Sequence, residues 1–171
     1  SNFNIYDTDD QTKVVRNILK ELGATVQETP KKIVSLISKL KEDGVSPEDY
    51  EKTVPSFLEN YKVIIETYKK YKIELKKNNA MDFSDLLIFT NELLDNPEIL
   101  EKVQDRYRYV MVDEYQDTNN IQYQIIKKIA KKHLNICVVG DEDQSIYGFR
   151  GANIQNILDF EKDYPNAKVV K

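Results

Sequence analysis

The sequence contains one cysteine and one histidine. Cys137 lies inside the apolar run Ile136–Cys137–Val138–Val139, which makes it a small core residue rather than a nucleophile or metal ligand. His133 stands alone, so a histidine-built metal site or catalytic triad is unsupported. So sparing a use of cysteine fits a reducing, cytoplasmic compartment. No apolar run approaches the ~18 residues that a membrane span needs, and no charged-then-apolar signal segment opens the chain. A Gly-x-x-x-x-Gly-Lys-Ser/Thr phosphate loop occurs nowhere. The 29 acidic residues outnumber the 25 lysines and arginines, for a net charge of −4. That balance excludes a histone-like binder held mainly by phosphate contacts. It leaves open stacking on nucleic acid beside a local basic face. There is no internal repeat, low-complexity tract or metal-ligand cluster, and 171 residues suffice for one domain or two small ones.

The most informative stretch is Tyr109–Val110–Met111–Val112–Asp113–Glu114–Tyr115–Gln116–Asp117–Thr118. Its short apolar run predicts a strand buried on both faces, as in the parallel sheet of an α/β protein. Such sheets place ligands at the carboxyl ends of their strands, where Asp113 and Glu114 fall. Two readings of this pair stand side by side. At a nucleotide-hydrolysing site the first carboxylate holds Mg²⁺ and the second deprotonates the attacking water. Equally, a strand can simply be followed by a helix N-cap. A second buried-strand pattern, Ile136–Cys137–Val138–Val139–Gly140–Asp141, leads into Gln144–Ser145–Ile146–Tyr147–Gly148–Phe149–Arg150–Gly151–Ala152. With a helix between them, the two strands form one βαβ unit, and both motifs face one crevice.

Upstream the pattern is helical. Asp7 or Thr8 caps a helix with Val14, Val15, Ile18, Leu19 and Leu22 at helical spacing, closed by Gly23. Thr29-Pro30 and Ser46-Pro47 start two more. Residues Ser56 to about Lys77 form the longest, with Phe57, Leu58, Tyr61, Ile64, Ile65, Tyr68, Tyr71, Ile73 and Leu75 as its apolar side. Its lysines, Lys69 and Lys70 among them, are either a solvated face or a patch that meets a DNA backbone. Asn78-Asn79 breaks it. Asp82 caps a following helix, in which Phe83, Leu86, Leu87 and Leu94 pack. Pro97 opens a short helix through Val103, Asn119 or Asn120 caps the crossover helix, and Asn153 caps a last one. Lys168–Lys171 is the start of a third parallel strand.

The blocks Val112–Asn119 and Val139–Ala152 together resemble motifs II and III of the superfamily 1 DNA helicases of the UvrD/PcrA/Rep type, and Met81–Leu87 resembles a Leu-Asp-Phe-Asp-Asp-Leu block that precedes them. The resemblance extends over nearly the whole chain. It implies an α/β fold, mostly helical, with a small parallel sheet from a partial RecA-like P-loop NTPase domain and a helical insertion lobe. Residues 1–79 would be the lobe, called 1B. Residues 80–171 would be the later half of domain 1A. By matching position, Asp113 would hold Mg²⁺ and Glu114 would be the general base for ATP hydrolysis. Gln144 would sense the γ-phosphate, with Gln116 and Asp141 supporting that network at the nucleotide. Tyr147 and Phe149 would stack on single-stranded DNA, and Arg150 would tie the DNA and ATP sites together. Many relatives carry Trp where Phe149 stands, so the stacking face here is smaller.

The departures from the family pattern are the missing phosphate loop, adenine-reading glutamine motif and arginine-bearing second RecA-like domain. They imply a piece of an ATP-dependent helicase that unwinds duplex DNA in repair or replication, inactive without the remainder. A DNA-binding or protein-interaction module descended from such an enzyme is the alternative from another class. A helicase–nuclease of the RecB or AddA kind is the third. The intact Asp113, Glu114 and Gln144 favour a motor over a pure binding module, which has no need of them.

Overall fold

The computed structural model describes residues 2–24, 28–54, 59–140, 160, 162–168 and 170. The elements are β1 (Asn4–Tyr6), α1 (Thr8–Glu21), α2 (Pro30–Glu42), α3 (Pro47–Thr53), α4 (Glu59–Lys77), β2 (Ala80–Asp82), α5 (Phe83–Leu93), α6 (Pro97–Arg106), β3 (Val110–Val112), α7 (Asn120–Ala130) and β4 (Ile136–Val138). The fold is α/β and mostly helical, with small parallel sheets, as the sequence predicts. Two compact units divide between Ile88 and Phe89.

In the first unit, local chemistry sets the helix ends. Asp7 accepts from the backbone N–H groups of Asp9 and Asp10 to start α1. Thr29 and Ser46 do the same for α2 and α3, each with proline at the first helical position. Gly23 and Gly44 sit at φ +59° and +70° just past α1 and α2, where glycine alone carries no Cβ penalty. Asn79 takes this role after α4 at φ 47°. Its carbonyl then accepts from Asn4 N–H at 3.0 Å, opening the parallel pairing of β1 with β2. Val15, Ile18 and Leu19 of α1, Ile33, Val34 and Ile37 of α2, and Ile64, Tyr68, Tyr71 and Leu75 of α4 form one core.

Three of the expected core positions face outward: Tyr61, Ile73 and Phe83. Ile73 is exposed, because Ile64, Tyr68, Tyr71 and Leu75 recur every three or four residues and Ile73 falls about half a turn away. Phe83 is also exposed, at the first position of α5 between buried Asp82 and Ser84. Leu94 is buried as expected, and Leu86 and Leu87 are half-buried. The α4 lysines divide: Lys69 pairs with Glu51 and Glu66, and Lys70 with Glu21.

A charged cluster lies inside this unit. Lys41, from the last turn of α2, places its Nζ 2.7 Å from both Asp82 Oδ2 and Asp85 Oδ1. The Asp82 side chain is fully buried. It also accepts from Tyr71 Oη at 2.9 Å and, at the cap of α5, from Asp85 N–H at 2.8 Å. Asp85 returns the bond to Asp82 N–H at 3.2 Å, and Gln11 Nε2 donates to Tyr71 Oη at 3.0 Å. Burial pushes the Asp82 carboxyl up, but Lys41, Asp85 N–H and Tyr71 together hold it below its ordinary value. For Asp85 burial prevails, and its carboxyl lies above the ordinary value.

The second unit is built on β3 and β4, paired in parallel with Val110, Met111 and Val112 opposite Ile136, Cys137 and Val138. Asn96 caps α6, which continues three residues past the expected Val103 to Arg106. Gln104 Nε2 on α6 donates to the Lys128 carbonyl on α7 at 2.8 Å. α7 packs against β3. The expected burial of β3 on both faces does not occur: Tyr109 and Met111 are each 79% exposed. Cys137 is exposed rather than in the core. Alternate strand residues point to opposite faces, and among the described residues only one face of this pair is covered. Among the described residues the sheets are two two-stranded pairs rather than one of three strands. Lys168 and Val170, the described part of the expected third strand, are not in a strand, and the helix expected after Asn153 lies almost wholly outside the described residues.

Replacing Lys41 by Met strands the buried Asp82 carboxylate and the half-buried Asp85 carboxylate, so Lys41→Met should lower folding stability by about 3–5 kcal/mol in urea titrations. The pH dependence follows from Asp82. Its depressed pKa contributes stability that is fully present above the unfolded value of about 3.9 and is lost as pH falls through the lower folded value. Asp85, with its raised pKa, opposes folding once ionised, and that opposition fades on acidification. Asp82→Asn should therefore be less stable near neutrality and flatten the loss of stability below about pH 4. An unchanged acid limb would contradict the assignment to Asp82.

Candidate functional site

The parallel pairing of β3 and β4 brings their carboxyl ends to one edge of the unit. The zip continues past both strands: Val139 N–H donates to the Val112 carbonyl at 2.8 Å, and Tyr115 N–H returns to the Val139 carbonyl at 2.9 Å. Asp113 and Glu114 are held between these two bonds, and both are exposed. Asp113 Oδ1 accepts from Glu114 N–H at 2.9 Å. Glu114 adopts the left-handed conformation, φ 49° and ψ 44°, which costs a non-glycine residue roughly 1–2 kcal/mol. Its carbonyl accepts from Asp117 N–H at 2.8 Å, starting a 3₁₀ turn over Tyr115–Asp117. Asn119 then caps α7 in a reciprocal box with Gln122. The strand-then-cap reading is thus correct for Asn119, while the two carboxylates upstream are not used as the helix cap.

Tyr115 anchors the turn. It is buried, its ring meets Phe160 edge-on at 5.7 Å between centroids, and Phe160 lies 4.8 Å from Tyr164. Burial, followed by the nearby Tyr164 and Asp163, pushes its hydroxyl up to about 12. Asp163 accepts from Tyr123 and pairs with Lys127 at 2.7 Å, fixing this end of the chain on α7. Gln116 is buried beneath the carboxylates, and its Nε2 donates to Glu114 Oε2 at 2.5 Å.

Of the residues expected at a nucleotide, Asp113, Glu114 and Gln116 come together here. Asp141 and Gln144 lie outside the described residues, as do Tyr147, Phe149 and Arg150 of the expected DNA contacts. Among the described residues the Asp113 carboxylate makes one hydrogen bond, through Oδ1, and is exposed. A hard, exposed oxygen donor of this kind fits Mg²⁺, which is held by one or two carboxylates and keeps several waters. Sequence reasoning missed two contributors. The first, Tyr115, could have been recognised as a core aromatic embedded between polar residues. The second, Gly140, is signalled by a glycine at a strand's carboxyl end, where another backbone or side chain approaches closely.

Strand-end carboxylates on a parallel βαβ unit stand where α/β proteins bind their ligands. The chain belongs to the UvrD/REP helicase N-terminal domain family, whose profile it matches over residues 1–165. Among individual relatives it is 46% identical over 171 residues to the ATP-dependent DNA helicase PcrA of Bacillus subtilis (strain 168), covering 99% of this chain and 23% of that protein. PcrA of Staphylococcus epidermidis is 45% identical and PcrA of Leuconostoc citreum 43%, with the same coverage. The chain therefore spans about a quarter of the length of these curated relatives.

The left-handed Glu114 yields a stability prediction. Glu114→Gly should be more stable than Glu114→Ala by about 1 kcal/mol, because glycine alone escapes the Cβ clash. Urea titration of the two variants checks this, and an Ala variant equal to or better than Gly would show that the conformation carries no strain.

Proposed function

We propose that the chain is the part of an ATP-dependent DNA helicase that supplies the carboxylates for Mg²⁺–ATP hydrolysis and a portion of the single-strand track. In this reading residues 1–79 are the helical insertion lobe 1B and residues 80–171 the later half of the RecA-like domain 1A. The observation that carries it is the exposed Asp113–Glu114 pair at a parallel strand end, in a chain 43–46% identical to proteins named ATP-dependent DNA helicases.

Asp113 holds the cation, directly or through water. The cation that Asp113 would hold would supply neutralisation of the charge developing on the transferred phosphoryl oxygens. Glu114 accepts the proton of the attacking water, a task that suits an exposed carboxylate on a rigid, hydrogen-bonded turn. Gln144 senses the γ-phosphate, with Gln116 and Asp141 in the same network. Tyr147 and Phe149 stack on bases of single-stranded DNA, and Arg150 couples that track to the nucleotide. Phosphate loop and second RecA-like domain come from the rest of the helicase, and the chain alone hydrolyses no ATP. The whole enzyme translocates on single strands and opens duplex DNA in the cytoplasm, in repair or replication. No helix among the described residues is long and apolar enough to cross a membrane.

In the complete helicase, Glu114→Gln should lower ATP turnover by about 10²–10⁴-fold with nucleotide binding intact. Asp113→Ala should instead weaken Mg²⁺-dependent nucleotide binding. Wild-type turnover in Glu114→Gln would reject the general-base role. Phe149→Ala should weaken single-strand binding about 5- to 150-fold at fixed salt, the worth of one stacked base. A labelled-oligonucleotide titration measures this. Submicromolar binding by the 171-residue chain itself, unaffected by Phe149→Ala, would favour an independent binding module.

A further inference from the structure

We propose that Gln116 is the positioning residue that fixes the Glu114 carboxylate, and that position 140 is glycine because any side chain there would displace the Gln116 amide. This rests on the reading of Glu114 as the general base.

Glu114 is exposed, and a glutamate side chain left to itself samples several rotamers. Gln116 removes that freedom at one atom: its Nε2 donates to Glu114 Oε2 at 2.5 Å, a charge-assisted bond from an almost fully buried donor. The direction of the amide is fixed by chemistry, since only its nitrogen can face a carboxylate. Its oxygen then faces the end of β4. A Cβ built on Gly140 would stand 2.9 Å from Gln116 Oε1 and 3.4 Å from both Gln116 N and Tyr115 Cβ. The amide cannot retreat with its backbone, because Tyr115 N–H is tied to the Val139 carbonyl and Asp117 N–H to the Glu114 carbonyl. The second strand end thus supports the carboxylate of the first through one buried amide. Positioning of this kind matters because misplacing a reacting group by about 1 Å can cost on the order of 10²-fold in rate.

Two measurements test the proposal. In the 171-residue chain, the side-chain amide resonances of Gln116, identified by their loss in Gln116→Leu, should shift on Glu114→Ala, and resonances that stay in place overturn the contact. In the complete helicase, Gln116→Leu should lower kcat by about 10- to 100-fold with KM for ATP unchanged. Gly140→Ala should do the same, and the double variant should be no slower than the slower single one, because both changes break one contact. Multiplying effects would overturn the role given to Gly140. If Glu114→Gln abolishes turnover while Gln116→Leu keeps it, the positioning role fails and the general base stands. If Glu114→Gln keeps turnover, the underlying reading itself fails.

Discussion

One buried ammonium group holds the first unit together. Lys41 reaches from the end of α2 to Asp82 at the end of β2 and Asp85 in the first turn of α5. Tyr71 on α4 and Gln11 on α1 complete the ring of bonds. A charge taken out of water must be paired and hydrogen-bonded, or folding stalls on its desolvation cost. Side chains from five elements together satisfy this lysine and both carboxylates. The same arrangement sets the register of Tyr6 opposite Asp82 in the β1–β2 pair and the first residue of α5. The apolar contacts of α1, α2 and α4 provide the larger share of the driving force. The ionic cluster adds directional contacts between α2, β2 and α5.

In the second unit the comparable constraint is a backbone one. Glu114 is held left-handed by bonds on both sides, and its conformation follows from closing the zip between β3 and β4 while starting a helix seven residues beyond Val112 – Asn119, the cap of α7. Strain of this kind persists only where the surroundings over-determine it, and it gathers at functional sites. Here the surroundings are named: Val112 and Val139 carbonyls, the Asp113 carboxylate, and Tyr115 sunk against Phe160. Among the described residues one face of β3 and β4 is uncovered, whereas parallel strands are ordinarily covered on both faces.

Much was legible from sequence. Helix starts at Asp7, Thr29, Ser46 and Asn119 rest on side-chain oxygens that reach a backbone N–H two or three residues on. That is local chemistry, visible in any short window. So is the paired carboxylate after an apolar run, and so are the motif blocks that gave the family. The tertiary structure alone decided the rest. Whether Met111 and Cys137 are buried depends on what covers a strand's second face, which alternation within the strand does not encode. Tyr61 and Ile73 face outward because helical geometry allows only part of the apolar list of α4 on a single face. Lys41, Asp82 and Asp85 are surface charges by composition. They become a buried cluster because residues forty positions apart converge, and Gln116 finds Gly140 for the same reason. Sequence fixes what a residue offers, and only the folded chain decides which distant partner takes it.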